Sequence, residues 1–497
     1  MTSSEKMRRY LRRKRKKRII RLSMFLSVIL LLLILVYALL IRPALKEDAE
    51  IADAEAAEQE AAEETGETGE TLPEPEPEPE PEPFEEFDIH VMMVGDDLLH
   101  MGLVNQGIQA DGSRNYDFLF KDILEYIDKA DIAIINQETP LGGNDRGFSG
   151  YPAFNSPTEV ADAIHKAGFD VVLAATNHAY DQGLGGLINF HDYFVKNYPD
   201  ISIVGIHGSP NEDSRHLHPD SYWEEKYGID PNLHPYFDQF DGFDEIDSTN
   251  TSAFVIREVN GVKISILNYT YSHNWATWAN GLDGYLNRLC YYDPSTRELD
   301  FDRINPEVLE DIKLARKLTD IVIVCPHWGY EYSFEPCAYQ KDFARQMIDA
   351  GADVIIGAHP HIVEPVELIT TDQGNKGLCY YSLGNFAHCQ VPNYTSFEGM
   401  AWVTIHVDEN GASVDLESSG ALPMVEYQTW GPLTIRGVYA LEDFTPEMAS
   451  NHASNFRGGG TMNLDTLNQW DSNLFGGWSL KKADILGDGS SEDTYQG

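Results

Sequence analysis

Val171-Val172-Leu173-Ala174-Ala175-Thr176-Asn177-His178 is an apolar run that stops abruptly in an amide and an imidazole. A strand buried on both faces reads this way, aliphatic and β-branched without polar alternation. The same grammar recurs upstream. Ile89 to Val94 ends in Gly95-Asp96-Asp97, and Ile132 to Ile135 ends in Asn136-Gln137-Glu138. Between the runs lie helical stretches such as Thr158 to Lys166, with Ser156-Pro157 as its start signal and Gly168 as its stop. Buried runs alternating with helices predict an α/β fold.

Downstream the alternation loosens and then resumes. Residues 206–250, rich in Asp, Pro, His and Tyr, read as an insertion, and its His207, His216, His218 and His234 as surface residues. Ser252 to Glu258 and Val262 to Tyr269 form a hairpin pattern about Asn260-Gly261. A helix is expected over Pro306 to Lys317, a strand over Ile321 to Cys325, a helix over Tyr339 to Ala350 and a strand over Val354 to Ile356. Strands Val363 to Ile369, Leu378 to Ser382 and Ala401 to Val407 follow. Residues 408–497 read as a β-rich extension ending in a loosely ordered, Gly-, Asn- and Asp-rich tail.

The N-terminal end has a different character. Eleven Lys or Arg residues lie between Lys6 and Arg21, and the twenty residues Leu22 to Ile41 carry no charge. As a helix that run spans about 30 Å, the thickness of a bilayer core. The run exceeds a signal-peptide core, and no small-x-small site follows it. The sequence therefore predicts a cytoplasmic basic tail (1–21), a single transmembrane helix (22–41) and an extracellular remainder held at the cell membrane. Residues 43–87 contain eighteen acids and one Lys, with strict Pro-Glu alternation from Pro73 to Pro83. That composition predicts a disordered, extended stalk. Residues 88–497 hold 23 Lys or Arg against 61 Asp or Glu. A field of that sign excludes nucleic acid as a partner. Five cysteines are too few for a disulfide scaffold, and Cys325 and Cys379 lie in strand-like runs that suit small core residues.

Chemistry concentrates where the strands end. Asp96, Glu138, the Asn177-His178 pair, His327 and the His359-Pro360-His361 pair all follow predicted strands. In α/β sheets the functional crevice lies beyond the strands' carboxyl ends, so these groups have reason to converge. Mixed carboxylate and imidazole donors suit one or two divalent transition ions, Mn²⁺, Fe²⁺ or Zn²⁺.

Six segments carry a family resemblance: Gly95-Asp96, Asn136-Gln137-Glu138-Thr139-Pro140, Thr176 to Gly183, His327-Trp328-Gly329-Tyr330-Glu331-Tyr332, Gly357-Ala358-His359-Pro360-His361 and Tyr381 to Phe386. In this order the series resembles the bacterial CapA family of poly-γ-glutamate capsule synthesis, within the calcineurin-like metallophosphoesterase superfamily. The likeness runs from about Ile89 to Val407. It implies an α-β-β-α sandwich with two central sheets over residues 88–407. It implies Asp96 and His361 as ligands of a first metal, Glu138 as the bridging carboxylate, and Asn177, His327 and His359 as ligands of a second. His178 resembles the catalytic histidine, and Asp181 stands where it could orient that ring. The family context implies a metal-dependent hydrolase using a metal-activated water, or a non-catalytic assembly or export subunit of a membrane polymer synthase complex. Partners expected on that basis are the bacterial membrane, synthase or export membrane proteins, and an anionic polymer terminus or lipid-linked phosphate. Two positions depart from the superfamily pattern: Leu98 stands where a metal-binding His is usual, and Glu138 where an Asp is usual.

Overall fold

The structure is a computed structural model that describes residues 84–209, 254–274, 282, 284–293 and 295–487. The predicted tail, membrane helix, nearly all of the stalk and residues 210–250 of the insertion lie outside the described residues. Among the described residues no helix is long and apolar enough to cross a membrane.

Two sheets dominate a mixed α/β fold. The first has the order β16 (Thr434–Ala440), β15 (Gly411–Thr429), β14 (Phe397–Asp408), β1 (Phe87–Asp97), β2 (Ile132–Asn136), β3 (Val171–Leu173) and β4 (Ser202–Val204). A short β13 (Asn385–Ala387) pairs with the end of β1. The second has the order β11 (Val363–Thr370), β12 (Lys376–Leu383), β10 (Val354–Ile356), β9 (Ile321–His327), β6 (Val262–Thr270) and β5 (Phe254–Val259). A separate hairpin joins β7 (Cys290–Asp293) to β8 (Glu298–Ile304).

Side-chain alternation explains why the sheets stack. On β1, Val91 and Met93 join Ile134 of β2 in one core, together with Ile266 of β6 and Ile323 of β9. That core is the layer between the sheets. Met92 and Val94 face a second core containing Ile164 of α1 (Glu159–Ala167) and Phe190 of α2 (Gly183–Asn197). On the far side, Val322 and Val324 meet Ile312 of α3 (Pro306–Leu318) and Phe343 of α4 (Ala338–Ala350). Each such aliphatic side chain taken fully from water contributes roughly 1.5–3 kcal/mol before entropy is charged against it. Helices thus cover both outer faces of two facing sheets.

Local signals acted as read in most places. Asn260 and Gly261 both have positive φ, +50° and +85°, which a tight hairpin between β5 and β6 requires. Gly168 closes α1 in the left-handed region. Ser156 does not cap that helix; its hydroxyl donates to Thr139 Oγ1 at 2.8 Å. All five cysteines are free, and Cys325 and Cys379 are buried.

Two expectations are corrected. The stretch assigned to a loosely ordered tail contains α5 (Leu464–Leu474), started by Asn463, whose side chain accepts from Thr466 N. Its Leu467 and Leu474, with Phe475, pack into the inter-sheet core, because the apolar residues recur at helical spacing within a polar composition. His207 is buried, not a surface residue; its Nε2 lies 2.9 Å from Asn287 Oδ1, which anchors that nitrogen inside the fold.

β1 to β4 run parallel, as do β6, β9, β10 and β12. Their carboxyl ends therefore open in one direction within each sheet. The crossing from β12 to β13 takes a single residue, Gly384, at φ +73°. A Cβ on Gly95 would stand 2.1 Å from Gly384 O, so β1 has no room there for a side chain. Gly95→Ala is expected to destabilise the fold by about 1–3 kcal/mol through overpacking. An unchanged denaturant midpoint would contradict this close approach.

Candidate metal centre

Each group named from the sequence emerges from a strand end. Asp96 is the penultimate residue of β1, Glu138 lies two residues past β2, and Asn177 and His178 follow β3. His327 closes β9, and His359 and His361 follow β10. All are buried, Asp96, Glu138 and His327 completely.

Their atoms fall into two ligand-sized groups. Glu138, His327 and His359 form one, and Asp96, Glu138 and His361 the other; within each, the donor atoms lie within 4.8 Å of one another. Glu138 belongs to both, as a bridging carboxylate would. Its Oε1 is 3.8 Å from His327 Nε2 and its Oε2 is 3.7 Å from His361 Nδ1. Asn177 Oδ1 joins the first group at 2.8 Å from His327 Nε2. Neither Glu138 oxygen, nor Nδ1 of His359, has a hydrogen-bond partner among the described residues. A buried carboxylate left in that condition is costly unless a cation or proton completes it. Oxygen and imidazole donors of this kind fit divalent transition ions.

Electrostatics agrees with that fit. Burial, reinforced by neighbouring imidazoles, holds His327 and His359 well below the ordinary histidine range, so both rings are neutral and keep a lone pair. Burial also disfavours the His361 cation, but Glu138 and the hydrogen-bonded Asp96 outweigh it and raise that ring to about 9. Burial pushes Glu138 well above the usual carboxylate range, with Asp96 adding to the shift. The cavity is short of positive charge.

A second set of residues aims the first. Asn136 Nδ2 donates to Asp96 Oδ1 at 2.7 Å. Asn385 Oδ1 lies 3.1 Å from His361 Nδ1, and its Nδ2 donates to His361 O at 3.2 Å. His359 and His361 sit at φ +100° and +60°, a left-handed stretch that turns both rings out of one short loop. Sequence reading quoted Asn136 and Asn385 inside motifs without giving them a role. It missed Asn274 altogether, whose Oδ1 accepts from Asn177 Nδ2 at 3.2 Å. The available signal was its place just beyond β6, another strand end.

His178 stands at the edge of the groups. Its Nδ1 is 2.6 Å from Asp181 Oδ2, and its Nε2 is 3.9 Å from Glu138 Oε1. Asp181 Oδ2 also accepts from Phe154 N at 2.7 Å, and the Phe154 ring meets His178 edge-on at 4.7 Å between centroids. An acceptor-only carboxylate at Nδ1 fixes the proton there and turns Nε2 toward the cavity.

Leu98 is packed in the core at 2% exposure and coordinates nothing. His100 does not replace it: its Nδ1 is engaged at 3.1 Å with Leu98 O, and it belongs to neither ligand group.

The family of bacterial capsule synthesis proteins, PGA_cap, matches residues 90–220 and 245–390. This chain belongs to that family. The PGA biosynthesis protein CapA of Bacillus subtilis (strain 168) is 29% identical over 253 residues, 51% of each chain. The capsule biosynthesis protein CapA of Bacillus anthracis is 25% identical over 304 residues, 60% of each. The match thus spans only about half to three fifths of these PGA_cap relatives' own length. A novel phosphatase from Mycoplasma pneumoniae superposes at a TM-score of 0.35 and 16% identity, over 69% of this chain and 95% of its own. A superposition that loose carries no argument about this chain.

Proposed function

We propose that this protein is a membrane-anchored, extracytoplasmic CapA-like factor that acts as a metal-dependent hydrolase in the biosynthesis of a poly-γ-glutamate-like envelope polymer. The observation that carries the reading is Glu138: a buried carboxylate without a hydrogen-bond partner among the described residues, common to two ligand-sized groups, with the His178–Asp181 pair beside it. Asp96, Glu138, Asn177, His327, His359 and His361 would hold the ions, and Asn136 and Asn385 would keep Asp96 and His361 aimed. Bound divalent ions supply an acidified water and polarise a phosphoryl or carboxyl oxygen. Protonated on both nitrogens, His178 would give its Nε2 proton to the leaving group, while Asp181 accepts from Nδ1–H and keeps the ring from turning. The substrate class that fits a strongly acidic protein is a chain terminus or a lipid-linked phosphate, since a long polyanion is repelled elsewhere on the surface. The N-terminal span would keep the domain beside synthase or export proteins of the membrane.

Leu98 supports a second reading, a non-catalytic assembly or export subunit, because an apolar side chain replaces a ligand expected at the first metal. Purified protein separates the two. Cleavage of isolated envelope fragments is expected to stop on chelation and resume on addition of Mn²⁺, Zn²⁺ or Fe²⁺. Metal-loaded, folded protein that leaves every fragment intact would overturn the hydrolase and leave the assembly subunit.

A further inference from the structure

A second nest of buried acids lies on the other face of the first sheet. Glu398 of β14 and Glu426 of β15 point to the same side as Met400 and Met424, away from the inter-sheet core, and His388 follows β13. Asp97, in register with Ala387, closes the group from β1. Glu398 is 1% exposed; Glu426, His388 and Asp97 are fully buried. The donor atoms of His388, Glu398 and Glu426 lie within 4.8 Å of one another.

Hydrogen-bond accounting shows what is missing. Glu426 accepts from His388 N at 2.9 Å and from Gln428 Nε2. Both oxygens of Glu398 and both of Asp97 have no hydrogen-bond partner among the described residues. Arg457 acts on Glu426 only through space: its guanidinium donates to Gln390 O at 3.3 Å and Cys389 O at 3.1 Å and, among the described residues, forms no ion pair with these acids. His388 Nδ1 accepts from Gln390 N at 2.8 Å, which places the ring proton on Nε2, 3.2 Å from Glu426 Oε2 and 4.0 Å from Glu398 Oε1. The ring thus turns an N–H, not a lone pair, toward the two acids without hydrogen-bonding either, and is not itself a metal ligand. What remains is an oxygen-lined pocket, the donor set of hard cations such as Mn²⁺, Mg²⁺ or Ca²⁺.

We propose that Glu398 and Glu426, with Asp97 at the edge, bind one hard divalent cation, and that the His388 backbone N–H orients Glu426. The ion ties β1, β14 and β15 together next to β13, which carries Asn385, the residue that holds His361. Its role is structural, and it is independent of the ions ascribed to the Glu138 centre.

Full-length protein loaded with Mn²⁺ and dialysed, then analysed for bound metal, tests this in four forms: wild type, Glu138→Gln, Glu398→Gln and the double variant. Glu398→Gln is expected to lose one Mn²⁺ per chain against its parent in both backgrounds. Equal Mn²⁺ in each parent and its Glu398→Gln derivative would overturn the site and assign the acids protons instead. A wild type and Glu138→Gln of equal content would count against the Glu138 centre alone. If Glu398→Gln does not fold, the melting temperature of Glu138→Gln decides: a rise with Mn²⁺ over chelator supports the site, and no rise overturns it.

Discussion

Glu138→Gln is expected to release the metal of both groups at once and to reduce hydrolysis to background. The substitution keeps the shape of the side chain and removes the charge that both groups share. Losing an outer-shell partner of a metal ligand typically costs about 10–100-fold in affinity, and loss of a bridging ligand should exceed that. Asp96 cannot compensate, since Asn136 Nδ2, His361 and the His359 N–H already surround its oxygens. Elemental analysis beside a circular-dichroism control measures the effect. A folded Glu138→Gln protein with wild-type metal content would remove Glu138 from the centre and take the hydrolase reading with it.

His178→Ala should behave differently, with metal content preserved and cleavage rate reduced on the order of 10²–10⁴. That is about 3–5 kcal/mol of transition-state stabilisation. The two variants separate because His178 Nδ1 is committed to Asp181 and its Nε2 stands at 3.9 Å from Glu138, at the rim of the ligand groups and in neither. In a deletion strain, His178→Ala at normal abundance is expected to change the amount or chain length of envelope polymer. Wild-type polymer from a folded, metal-loaded His178→Ala protein would favour the assembly subunit over the hydrolase.

Much of this architecture was legible in the sequence because the paired strands are uninterrupted apolar runs. Val354 to Ile356 appears as read, and the hairpin at Asn260-Gly261 falls where its turn pair requires. The clustered donor groups were legible for the same reason: a polar group directly after a buried strand has few bland explanations. Other features left no such trace. β4 lies at a sheet edge and is no shorter than β10, but Ser202 breaks its apolar run, so it gives no uninterrupted signal. Glu398 and Glu426 sit in strands where an isolated Glu ordinarily marks a solvent-facing position, and only the packing around β13 to β15 buries them. Asn274 bonds a residue nearly a hundred positions away, a relation that local pattern cannot carry.

The chain's route between the sheets has a consequence for how the protein assembles. All strands of the second sheet come from one continuous stretch, 254–383, set between the two portions of the first. Asp96, Glu138 and Asn177 belong to the first sheet's strand ends, and His327 and His359 to the second's. No partly folded chain with a single sheet can therefore own a complete set of ligands. Contacts this distant in sequence form slowly, because loop closure precedes any reward. Metal uptake should then be a late event in refolding, rising with the docking of the two sheets and not with the earlier gain of secondary structure, so that the ion serves as a timestamp of completed folding.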